Sequence, residues 1–304
     1  MYSFNLPLLF FLSGYLFKVG DEPWLRIKSK GKALFPDIIW NKIQTIILPY
    51  WVYTVFSILL ALFCGWPVTV TGSIAEMTYF HGTVGWNSPL WFFPALFFSW
   101  IICYCLFKLN RSFLFEAIVV GICVVISFFV EYMPLWMKTF GLLRVFMVIP
   151  LFMVGYWIKK FNLLEKIRGR IRVLLVIFLL LIGIVFGTIL NPKILLYEYI
   201  YHNFFFVFIG TNAILFAIVL IFSSFERYPR IINNFGKVTF FIIGTHVPVV
   251  MIYRKILTIY LVEYSDIFVI LSSLIVTIIL LFLQYGVARI IGKFPKVSLY
   301  FGLR

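Results

Sequence analysis

Charge is scarce in this chain, and acidic charge scarcest. Only 12% of its 304 residues are charged, and Asp and Glu together number 11 against 26 Lys and Arg. A water-soluble domain usually carries about 25% charged residues, so this chain could not cover a soluble surface with polar groups. Histidine is also rare, with three in all. The four cysteines (Cys64, Cys103, Cys105 and Cys123) form no C-x-x-C pair and lie in or beside apolar runs. That pattern gives neither a disulfide framework nor a metal site, and no metal is expected. Also missing are G-x-x-x-x-G-K-[ST], G-x-G-x-x-G and H-E-x-x-H, which disfavours a P-loop ATPase, a dinucleotide-binding dehydrogenase and a zinc peptidase. The first apolar run lacks a basic flank and a small-residue cleavage site, so it does not read as a signal peptide.

What the chain has in quantity is apolar sequence: 63% of it is hydrophobic and 21% aromatic. A helix crossing a bilayer needs about 20 mostly apolar residues. Candidate spans run approximately 2–17, 46–64, 90–107, 113–130, 142–158, 173–190, 203–222, 236–253 and 267–289. The fold class expected is therefore an all-α polytopic membrane protein with about nine transmembrane helices, forming a single domain over 1–304. Basic residues collect in every second loop: in 18–45, at Lys108 and Arg111, through 159–172, around Arg227 and Arg230, and after Arg289. Positive loops stay in the cytoplasm, so these loops and the C-terminus are placed there and the localisation expected is the cytoplasmic membrane. The net charge of +15 is thereby explained by topology and attraction to anionic lipid, and no nucleic-acid partner is expected. With that orientation Met1 falls outside the cell, which points to one further span before it.

Several local features carry expectations of their own. Pro36 to Gln44 reads as a short amphipathic helix on the inner surface, with Trp24 and Trp40 at headgroup level. Gly183 and Gly187 make a G-x-x-x-G, read as a packing notch inside the molecule rather than a dimer seam. Arg144 and Glu116 stand near span ends, where Arg144 can snorkel and Glu116 can sit at the interface. Nothing in the sequence specifies an oligomeric state.

Five stretches, in order, resemble the integral-membrane acyltransferase-3 family, especially its fucose 4-O-acetylase-like branch. They are Phe4 to Phe17 (FNLPLLFFLSGYLF), Ile47-Leu48-Pro49-Tyr50, Asn87 to Phe97 (NSPLWFFPALF), Pro150 to Tyr156 (PLFMVGY) and Phe235 to His246 (FGKVTFFIIGTH). The family has ten spans, and its first carries an Arg and a His thought to be catalytic. This sequence begins after that point, so relative to the family it reads as N-terminally truncated, lacking the first span. It also has only Lys42 where the family carries several basic residues before L-x-P-Y.

The resemblance implies a membrane O-acyltransferase, in the first instance an O-acetyltransferase. It would move an acyl group from acetyl-CoA or another acyl-CoA, used as donor substrate with no bound cofactor, to a hydroxyl of a cell-envelope saccharide. Ionisable groups at membrane depth are costly and tend to be functional. His246, about ten residues into the eighth span, is the catalytic candidate. His81, Asn87, Trp91 and Ser13 are candidates for binding the acceptor, and Lys42 for the donor. His202 reads as interfacial. The run 159–172 could attract the donor's phosphates as well as set topology. Two other readings stand beside this one: a transporter or polymerase-like protein for lipid-linked saccharide, and an inactive family fragment.

Overall fold

The computed structural model describes the chain except for residues 1–4, 18–34, 67, 82–85, 110–111, 139–140, 192–193, 202, 226–229, 261–265 and 304. Trp24, His202 and most of the basic residues of the 18–45 loop lie outside the described residues.

The described chain is helical nearly throughout. The helices are α1 (Asn5–Tyr15), α2 (Pro36–Cys64), α3 (Val70–Thr78), α4 (Phe92–Leu109), α5 (Phe113–Val130) and α6 (Arg144–Lys160). They continue as α7 (Gly169–Ile184, prolonged by a π-turn Val185–Ile189), α8 (Phe204–Phe222), α9 (Arg230–Lys237), α10 (Thr239–Tyr260), α11 (Asp266–Ile291) and α12 (Pro295–Tyr300). Six helical stretches among the described residues are long and apolar enough to cross a membrane, and three shorter apolar ones lie at Leu6–Tyr15, Thr239–Tyr253 and Ile275–Ile291. Each of the expected apolar segments is thus mainly helical over its described residues. Their outer faces carry residues such as Phe63, Leu114, Ile171 and Leu174, all at least two-thirds exposed. Such surfaces would aggregate in water and suit lipid. The chain is a multi-pass membrane protein.

The segment from Pro36 differs from expectation. It does not stop before span two but runs straight into it as one helix of 29 residues. The join is a π-turn, Ile43–Ile47, in which the Leu48 N–H bonds back to the Ile43 carbonyl. Pro49 explains the turn. A proline inside a helix offers no N–H and crowds the carbonyl four residues earlier, here that of Thr45. Widening the preceding turn relieves this without ending the helix.

By Cα proximity the chain divides into two compact units, residues 1–39 with 94–227, and residues 40–93 with 228–304. In the first unit α1 crosses α6 at backbone contact. A Cβ on Gly14 would sit 1.8 Å from the Phe152 carbonyl oxygen, and one on Gly155 would sit 2.0 Å from that of Phe11. Two of the five sequence stretches are therefore the two sides of one helix seam. Around it Phe17 packs on Trp100, Phe107, Phe152 and Tyr156. The G-x-x-x-G is internal, as expected: Gly183 receives Ile214, and Gly187 faces Gly210 across α7 and α8.

Glu116, near the start of α5, is held inside the protein and does not face its surroundings. It is 2% exposed, and its carboxylate accepts from Lys160 Nζ at 2.7 Å and from Trp157 Nε1 at 2.8 Å. The two ends of this pair are unlike, because the Lys160 side chain is 26% exposed. Lys160→Met would leave a buried carboxylate without its cation, which costs about 3–5 kcal/mol. Glu116→Gln frees a lysine that can reach water. Thermal denaturation in detergent should therefore show Lys160→Met as clearly the more destabilising of the two.

Arg144 does not snorkel either. At 1% exposure it lies over the Tyr199 ring, 5.0 Å from its centre. Tyr199 belongs to a small hairpin, β1 (Ile194–Leu195) with β2 (Ile200–Tyr201), the only strands among the described residues. Its base is closed by Asn191, whose Nδ2 donates to the Asn203 carbonyl while its Oδ1 accepts from the Asn203 N–H. Burial pushes the Tyr199 phenol above its usual value, and the charge of Arg144 partly pulls it back. Burial pushes Tyr201 up as well. A phenol whose folded value is raised contributes stability that is intact below the free phenol's value of about 10 and is lost as pH climbs beyond it. Stability should therefore be flat through neutral pH and fall above about pH 10, less steeply in a Tyr199→Phe variant followed by alkaline denaturation.

Candidate active site

The second unit gathers residues 47–50, 87–93 and 235–246, from the remaining three sequence stretches, around α10. At its base Tyr53 of α2 donates to the Phe301 carbonyl at 2.8 Å and packs its ring against Phe93 and Phe241. Gly244 of α10 lies flat on that ring: a Cβ there would be 2.5 Å from Tyr53 carbons. Phe240 meets Phe92 and Phe93, which follow Trp91, edge to face.

His246 stands two residues beyond Gly244. Its Nδ1 is 3.0 Å from the Ile243 carbonyl and 3.2 Å from that of Ile242. Carbonyls only accept, so the geometry assigns the proton to Nδ1. The lone pair is then on Nε2, the form of imidazole that can take a proton from a substrate.

Asn87 precedes a short 3₁₀ turn, Ser88–Trp91, where an asparagine would ordinarily cap its own helix. It makes no such cap. Its side chain, fully buried, instead donates from Nδ2 to Ser57 Oγ at 2.9 Å and to the Gly244 carbonyl at 3.2 Å. That carbonyl would normally bond the N–H four residues on, but residue 248 is proline and has none. Asn87 thus supplies the donor that Pro248 withholds. This fixes the amide's orientation, and Oδ1 is left buried without a protein partner.

One turn of α10 therefore presents three functions to three sides. Gly244 meets α2 and Asn87. The next residue, Thr245, accepts from Gln284 of α11 at 3.0 Å and donates to the Phe241 carbonyl. Residues two apart leave a helix about 200° apart, so the His246 ring departs from the side opposite Tyr53. Asn87 and His246 share this turn but not one face of it.

The other candidates are more dispersed. Trp91 is 3% exposed. His81 follows α3, is half-buried, and its backbone N–H bonds to the Glu76 carbonyl. Lys42 ends the first segment of α2, just before the π-turn, and is half-buried. Ser13 belongs to the first unit, where its hydroxyl donates to the Leu9 carbonyl at 2.7 Å, the usual way a serine is satisfied within an apolar helix. Among the described residues no cluster of His, Cys, Asp or Glu could hold a metal ion.

The sequence reading passed over Thr54, Ser57, Thr245 and Gln284, all buried and polar. Each stands inside an apolar run, which was the available signal. Thr54 and Ser57, three apart, share one face of α2.

The model of the acyltransferase domain, acyltransferase-3, matches residues 1–285. The chain belongs to that acyltransferase family. The match runs through both units and takes in His246, Asn87 and all five stretches singled out in the sequence. No curated protein and no solved structure matches this acyltransferase.

Proposed function

We propose that this membrane acyltransferase moves an acyl group, acetyl in the simplest case, from acyl-CoA to a hydroxyl of a cell-envelope saccharide, as in the fucose 4-O-acetylase-like branch. The observation that carries the reading is the family match over residues 1–285, with His246 held as the Nδ1–H tautomer inside it. In this reading Nε2 takes the proton from the acceptor hydroxyl as its oxygen attacks the thioester carbonyl. The new C–O bond forms, the C–S bond breaks, and the proton passes to the departing CoA sulfur. His81 is the proposed contact to the acceptor, with Trp91 shaping the wall beside it, while Asn87, fully buried and on another side of α10 from the His246 ring, supports the turn from behind. Lys42 is the candidate for the donor's phosphates.

A membrane fold suits this chemistry because a cytoplasmic donor and an extracytoplasmic acceptor lie on opposite faces. The reading places all nine apolar helices across the cytoplasmic membrane, with residues 159–172 and the C-terminus inside.

The test is a donor-dependence assay in membrane vesicles carrying the chain. With acetyl-CoA labelled in its acetyl group, label should enter the saccharide fraction only when both chain and donor are present. Saccharide crossing the vesicle membrane without any donor would support a transporter instead, and neither event would mark an inactive chain.

A further inference from the structure

We infer that Asn87 is a positioning residue for His246, acting through the turn of α10 that Pro248 leaves open. His246 lies between Gly244, whose carbonyl has lost its backbone donor, and Pro248, which withholds it. In an unbroken helix that carbonyl would be tied within α10 and the turn would have one regular geometry. Proline also crowds the carbonyl four residues before it, tilting it outward. In the interior of a membrane protein a freed carbonyl is tolerated only where another group satisfies it. Here that group is the Asn87 amide, 3.2 Å away and itself anchored to Ser57 at 2.9 Å. The opened turn is thereby pinned from outside the helix. The carbonyls that orient the imidazole, those of Ile242 and Ile243, belong to the residues immediately before the pinned one. Burial is complete at both anchors, since Asn87 and Ser57 are 0% exposed, so water does not compete for the amide.

The inference uses the catalytic role proposed above for His246, and one of its readouts does not depend on that role. The full chain is prepared in lipid nanodiscs with isotope-labelled histidine. With only three histidines, the imidazole nitrogen spectrum is simple, and His246→Gln assigns the His246 signals. Asn87→Leu keeps the branched outline of the side chain but removes both donors. It should lower the melting temperature, displace the His246 nitrogen signals and cut kcat for labelled acetyl transfer by about 100-fold, with KM for acetyl-CoA unchanged. Adding Pro248→Ala returns the missing N–H to Gly244. In the double variant the melting temperature should recover while the His246 signals stay displaced and transfer stays low, because the turn is now regular.

Three results would overturn the inference: His246 signals unmoved in Asn87→Leu, no recovery of melting temperature in the double variant, or transfer returning together with stability. If the wild type transfers no acetyl group at all, the proposed function falls, while the nitrogen spectra and melting temperatures still decide whether Asn87 positions the imidazole.

Discussion

His246→Ala should abolish transfer while leaving the fold intact. General acid–base groups contribute about 10²–10⁴-fold to rate, and losing the only imidazole on α10 removes that factor from kcat. The side chain's own hydrogen bonds run to the Ile242 and Ile243 carbonyls of its own helix. No tertiary contact of the fold depends on them, so the melting temperature should change little. KM for acetyl-CoA should also hold, because the ring acts on the acceptor hydroxyl. His246→Gln, which can still donate to a carbonyl but supplies no base, should be as inactive as the alanine variant. Initial rates with labelled acetyl-CoA, paired with melting curves, separate these effects. Transfer within twofold of wild type would remove His246 from the chemistry.

Gly155→Ala should have the opposite signature, a chain that does not fold. The added Cβ would lie 2.0 Å from the Phe11 carbonyl oxygen and 3.0 Å from the Tyr15 nitrogen, so it strikes backbone and not a movable side chain. Gly14→Ala strikes the Phe152 carbonyl in the same way from the other helix. Overpacking a well-filled core typically costs 1–3 kcal/mol, and forcing two backbones apart should exceed about 3 kcal/mol, a large share of a total stability of about 5–15 kcal/mol. Separating α1 from α6 would also open the aromatic cluster around Phe17. Gly121→Ala in α5 is the control, since a Cβ there meets nothing within 4 Å. Relieving a mid-helix glycine gains about 0.5–1 kcal/mol, so this variant should express at least as well as wild type. Size-exclusion profiles in detergent compare all three.

These glycines mark the limit of what the sequence made legible. That Asn5–Tyr15 and Arg144–Lys160 are helices could be read from apolar runs alone, because the bilayer demands them wherever such runs occur. That Gly14 and Gly155 face each other could not, since a glycine's partner leaves no local trace in the chain. The burial of Glu116 was hidden for a related reason: its cation, Lys160, is 44 residues away and reads in the sequence only as part of a topological charge run. Arg144 was likewise judged by its distance from a span end, whereas the hairpin that covers it draws on residues beyond α7. The π-turn before Pro49 did have a local cause, a proline inside a helix with no stop signal ahead of it, but apolar runs alone do not distinguish a widened turn from a break between two helices.

The candidate site was half legible. His246 and Asn87 stood out because polar residues are rare in this chain and because their surroundings resemble the family's. Their relation was not visible. Asn87 reads as a sugar ligand until the carbonyl freed by Pro248 is seen beside it. Nothing in the sequence separates Thr54, Ser57 and Gln284 from other polar residues of apolar helices, and only their burial gives each of them a tertiary setting.

The most direct test of the account is the identity of the bond the purified chain makes. The full chain, reconstituted alone in proteoliposomes with acetyl-labelled acetyl-CoA and envelope saccharide, should place label on the saccharide and release free CoA thiol in equal amount. That label should come away in mild alkali, as an O-ester does. Label that resists alkali, or CoA release with no label on saccharide, would contradict transfer to a hydroxyl.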